Sequence, residues 1–179
     1  MASSRYMRPL AKVGLVAAGY IGAFAVASAV VAVHIATTSG TDRQQYGAMF
    51  SFGDDLLFLA VFGAAAVVPY ATALFFLRPY RLFWRVLSVT ALLVAATTVL
   101  MFNYFPPQPS AAHSAAKAWL AFAGLLRILI SPFFALGCLV ATVIAPSRRP
   151  RLALLVATAM ESTVFVWIAF TWFFRFRPQ

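Results

Sequence analysis

Five long apolar stretches, at residues 13–36, 56–77, 84–105, 118–145 and 152–174, alternate with short segments crowded with arginine, glycine and proline. Within these stretches only Arg85, Arg127 and Glu161 break the absence of Asp, Glu, Lys and Arg. A helix rises about 1.5 Å per residue, so about 20 apolar residues cross a hydrocarbon core about 30 Å thick. The pattern therefore predicts an all-α, polytopic transmembrane bundle of five helices. At 179 residues, those spans and their connections use nearly the whole chain, which reads as a single membrane domain, 1–179.

The breaks between runs have local causes. Residues 37–53 contain Gly40, Asp42, Arg43, Gln44, Gln45 and Gly47 and read as a loop, after which Asp54 and Asp55 open the second run. Carboxylates at a helix start complement its positive dipole end, so capping is the plain explanation for that pair. Arg78-Pro79-Tyr80-Arg81-Leu82-Phe83-Trp84-Arg85 reads as a basic, aromatic turn at head-group depth. Pro106, Pro107 and Pro109 stop the third helix, and Ser110 is a candidate cap for the fourth. Pro146-Ser147-Arg148-Arg149-Pro150-Arg151 is a second basic turn, and Trp172 to Arg177 an aromatic belt with anchoring cations. Pro69 and Pro132 fall inside spans, where kinks are expected but tolerable among packed neighbours. The basic start and Ala25-Val26-Ala27 also resemble a signal peptide with its processing site. Because the apolar run continues past Ala27, a retained helix is the better reading.

Composition agrees with a lipid-facing surface: 63% of residues are hydrophobic and 10% charged, against about 45–50% and about 25% in soluble proteins. The formal charge of +10 would suggest nucleic acid in a soluble chain. Here the cations lie in clusters beside apolar runs, where they orient a membrane protein and attract anionic lipids, so no nucleic-acid partner is expected. Alternating spans put Arg5, Arg8, Lys12, Arg78, Arg81, Arg85, Arg148, Arg149 and Arg151 on one side without an acid. The other side carries Arg43, Lys117, Arg175 and Arg177 against Asp42, Asp54 and Asp55. The positive-inside rule then predicts a cytoplasmic N-terminus and an outside C-terminus, in the inner membrane of a bacterium. Arg78, Arg81, Arg85, Arg148, Arg149 and Arg151 are the candidate lipid head-group ligands.

Ionisable groups at bilayer depth cost about 2.5 to 3.5 kcal/mol on insertion scales and so call for a partner. Glu161 is the clearest case. Counted from Arg151 it lies about 15 Å into the core, with Thr158 and Ser162 completing a polar patch. Arg127 is the natural counter-charge, but counted back from Pro146 it lies about 28 Å deep, which weakens the match. The alternative has Arg127 snorkelling to the outer interface while Glu161 is neutral or paired with another protein's cation. His34 and His113 share a side with Asp54 and Asp55, yet their spacing matches no metal-ligand motif. Neither histidine lies at the mid-depth where axial haem ligands would be sought, and no cofactor is expected. Lone Cys138 can form no internal disulfide.

No Gly-x-Ser-x-Gly, His-Glu-x-x-His or phosphate-binding glycine loop occurs, and the chain has only four acids, so catalysis is the minority reading. Small residues instead form two stripes on the first helix, Gly14, Ala18 and Gly22 beside Gly19, Ala23 and Ala27. Such stripes let helix backbones approach in a bilayer. The leading expectation is a non-catalytic accessory or scaffold subunit packing against other membrane-protein helices. The alternative is a small transporter or channel with Glu161, and Arg127 with it, on the substrate or proton path. A lipid-acting protein using the basic turn at Arg78 to Arg85 is the third possibility.

Overall fold

The computed structural model describes residues 9–38, 47–104 and 115–175. Five α-helices account for almost all of them: α1 Pro9–Thr37, α2 Gly47–Phe76, α3 Arg81–Tyr104, α4 Ala115–Ile144 and α5 Arg148–Arg175. Each contains a stretch long and apolar enough to cross a bilayer, so the chain is an all-α, multi-pass membrane protein with five spans.

Helix starts depart from the sequence expectation in one direction: helices reach into segments read as turns. α2 begins at Gly47, nine residues before residue 56. Ala48, Met49, Phe50 and Phe52 are competent helix residues, and the glycines at 47 and 53 outweighed them in the reading without breaking the helix. Asp54 and Asp55 consequently lie beyond the first turn, and no acid occupies that turn, so capping does not explain them. The turn after α2 shrinks to residues 77–80, and Arg81 to Arg85 open α3. Arg148 to Arg151 likewise form the first turn of α5, where Pro150 is tolerated because the first-turn N–H groups have no intrahelical acceptor. α2 and α4 remain continuous helices through Pro69 and Pro132. The expected loop residues 40–45, the Pro106–Pro109 break, Ser110, Arg5, Arg8 and Arg177 lie outside the described residues.

The chain divides into two compact units, Met1–Phe76 and Leu77–Gln179. In the first, α1 and α2 form an antiparallel hairpin. Its contacts run from the Lys12 ammonium over the Phe76 ring at 5.4 Å, through Gly19 against Pro69, to His34 beside Asp54. Phe24 meets Phe58 edge-on at 5.4 Å between them, and Phe58 stacks on Phe62 at 5.9 Å. The stripe facing α2 is Gly19, Ala23 and Ala27, and both alanines are buried. Gly14 and Gly22 have open space where a Cβ would sit.

In the second unit α5 packs against both α3 and α4, which scarcely touch each other. Buried positions recur with alternating steps of four and three: Trp84, Ser88, Ala91, Ala95 and Thr98 on α3; Ser131, Ala135, Cys138 and Thr142 on α4, with Ala141 buried beside Thr142 and Ala145 continuing the series just past the helix end; Pro150, Leu154, Ala157, Glu161 and Val164 on α5. This 3.5-residue spacing is the seam of left-handed helix packing, and its small side chains let the backbones approach. Buried Trp84 closes one end by donating its indole Nε1–H to the Leu77 carbonyl at 3.2 Å. Arg151 donates to the Ala145 carbonyl at 2.8 Å, satisfying an acceptor just beyond the end of α4.

Candidate functional site

Most hydroxyls in the spans bond to their own helix. Thr72 donates to the Val68 carbonyl, Thr142 to Cys138, Thr158 to Leu154 and Thr163 to Ala159, all at 2.8 to 2.9 Å. A threonine bonded to the carbonyl four residues back hides its polarity from lipid without a partner helix. Ser131 instead reaches across to α5, as does Thr98, whose hydroxyl also lies 3.2 Å from the Val94 carbonyl of its own helix, and both converge on Glu161.

Glu161 has no exposed side-chain surface. Its Oε1 accepts from the Thr98 hydroxyl at 2.9 Å and from Arg127 Nη2, while Oε2 accepts from the Ser131 hydroxyl at 2.6 Å. One carboxylate thus gathers donors from α3 and α4, the two helices that meet poorly on their own. Arg127 Nη2 also approaches the Val94 carbonyl of α3 at 3.4 Å, and the guanidinium sits 5.2 Å from the Phe134 ring centroid. An isolated buried carboxylate is prohibitive in a low-dielectric interior, and a paired one with both oxygens hydrogen-bonded is tolerable. The arrangement neutralises the only glutamate of the chain.

The depth argument against an Arg127–Glu161 contact is therefore overturned. Its reference points were wrong: α5 begins at Arg148 rather than beyond Arg151, and α4 ends at Ile144. From these ends the rise to Glu161 is about 20 Å and to Arg127 about 25 Å, a gap that an arginine side chain spans. Thr158 and Ser162 do not join the cluster: Thr158 is spent on Leu154, and half-buried Ser162 does not reach the carboxylate. Thr98 and Ser131 were missed. The signal for them was present, since each extends the four-and-three seam of its helix to a polar residue facing the Glu161 stripe.

Elsewhere, His34 Nε2 lies 3.8 Å from Asp54 Oδ1 across the hairpin, with Asp54 largely buried and His34 well exposed. His113 lies outside the described residues. Among the described residues no three His, Cys, Asp or Glu side chains come close enough to hold a metal ion. Arg78, Arg81, Arg85, Arg148, Arg149 and Arg151 are all exposed, around the turn at 77–80 and the first turns of α3 and α5.

Chemically, the cluster can hold three helices in one register and screen a charge from lipid. Its one open edge is Arg127, whose side chain retains 18% of its surface. Comparison with known proteins finds no matching family model, no matching curated protein and no matching solved structure.

Proposed function

We propose that this chain is a non-catalytic accessory or scaffold subunit of a membrane-protein complex. The observation that carries this reading is the division of labour between the two stripes on α1. Gly19, Ala23 and Ala27 pack inside the hairpin, while Gly14 and Gly22, of the same spacing and character, face open space. Bilayer helices associate through such small-residue faces because lipid tails supply no hydrophobic drive between them. The self-neutralised Glu161 cluster supports the non-catalytic part, since its carboxylate already has every donor it needs. In this reading the N-terminus is cytoplasmic, the membrane is a bacterial inner membrane, and the exposed arginines adjoin its anionic lipids.

Purification in mild detergent after in-membrane cross-linking is expected to recover other membrane polypeptides with the chain. Substituting Leu at both Gly14 and Gly22 should release them. Recovery of a lone monomer from membranes in both cases would rule the subunit reading out.

A transporter or channel is the second reading, favoured by the partial exposure of Arg127, which opens the ion pair to one side. In proteoliposomes it requires Glu161→Gln to abolish substrate or proton flux. Equal flux through protein-free and protein-containing vesicles would dismiss it.

A further inference from the structure

We propose that the open edge of Arg127 binds an ester carbonyl of a phospholipid acyl chain, at the end of the three-helix unit remote from its arginine-rich turns. A guanidinium carries five N–H donors. Among the described residues Nη2 serves Glu161 and Val94, and neither Nε nor Nη1 makes a hydrogen bond. Donors at this depth need acceptors, because lipid offers no water to replace them.

Position and charge together select the acceptor. Counted from the ends of α3 and α4 that adjoin the arginine-rich turns, the rise to Thr98 and to Arg127 is about 25 Å each, so both stand near the far edge of a hydrocarbon core about 30 Å thick. That edge is the level at which hydrocarbon gives way to the glycerol esters. Because α3 and α4 scarcely touch, a guanidinium reaching from one to the other lies in the seam between them. Leu93, Leu100, Leu126 and Ile130 are exposed apolar side chains on these two helices, spread over about 10 Å of the helix axis toward the same end, a surface suited to an acyl chain. Arg127 and Glu161 already cancel in charge. A phosphate or carboxylate ligand would leave one net negative charge where the dielectric is low, whereas a carbonyl oxygen leaves the site neutral. The inference does not depend on the subunit reading.

Solid-state NMR of the full chain tests it directly, because Glu161 is the only glutamate. The protein is labelled with ¹⁵N-arginine and ¹³C-glutamate and reconstituted into phosphatidylcholine vesicles carrying ¹³C at the ester carbonyls. The guanidine resonance that transfers to the glutamate carboxyl carbon identifies Arg127 without a variant. That resonance is expected to transfer also to the lipid carbonyl, to show no transfer to lipid ³¹P, and to vanish in Arg127→Lys. Transfer to phosphorus in place of the carbonyl would show a snorkelling arginine and overturn the proposal, as would transfer to neither lipid nucleus.

Discussion

Glu161 occupies a position where the seam of α5 otherwise carries Pro150, Leu154, Ala157 and Val164, so the cost of its charge is set by its three donors. Removing Arg127 alone, as in Arg127→Met, strands the carboxylate and is expected to cost about 3 to 5 kcal/mol of unfolding free energy. Replacing both partners, Arg127→Met with Glu161→Leu, should cost less than either single change, because nothing charged is then left buried. Unfolding by denaturing detergent in mixed micelles measures all three, and a double variant worse than both singles would contradict the account. Ser131→Ala removes one hydrogen bond to a charged group and is expected to cost about 1.5 to 3 kcal/mol in the same assay. Sequence alone exposed Glu161 and Arg127, since isolated charges in apolar runs are conspicuous. It did not expose Thr98 or Ser131, because serine and threonine are ordinary in spans and bond to their own helices by default. Only the register between helices distinguishes the two that reach across, and register depends on helix ends the sequence placed too late.

At the scale of elements, span number and approximate extent were legible because charge-free runs of about 20 residues admit few other structures. Boundaries were less so. Arginine, proline and glycine near a run mark the membrane edge as readily as a helix end, and Arg81 to Arg85 and Arg148 to Arg151 turned out to be helical. The two stripes on α1 were also equivalent in sequence, and only packing against α2 separates them. An ideal Cβ on Gly19 would lie 2.7 Å from the Cβ of Pro69, part of a rigid ring that cannot turn aside. Gly19→Val should therefore wedge the hairpin apart, at the about 1 to 3 kcal/mol typical of overpacking. Gly22→Val, three residues along the same helix, enters open space and should leave the unfolding of the chain unchanged. The pair of variants, followed by the same detergent titration, separates close packing from any general penalty for a β-branched residue in α1. Equal losses at both positions would remove the packing explanation.

Orientation is a property of the whole molecule. The spans fix only that successive connections alternate between sides, so the choice of side rests on charge. Every cluster of three cations, at Arg5, Arg8 and Lys12, at Arg78, Arg81 and Arg85, and at Arg148, Arg149 and Arg151, falls on one side by that alternation, with no acid among them. Short basic segments next to spans resist translocation, and each adds about 1 kcal/mol per cation of attraction to an anionic cytoplasmic leaflet. Three such clusters acting together are expected to oppose the reverse insertion. Cys138 is buried, so a maleimide background from the native thiol should be low, and exposed single cysteines can report each side. In intact cells a membrane-impermeant maleimide is expected to label Thr38→Cys, at the end of α1, and to spare Ser147→Cys, between α4 and α5, until the membrane is opened. Labelling of Ser147→Cys from outside, with Thr38→Cys protected, would invert the orientation. It would also show that the arginine clusters serve something other than the cytoplasmic leaflet.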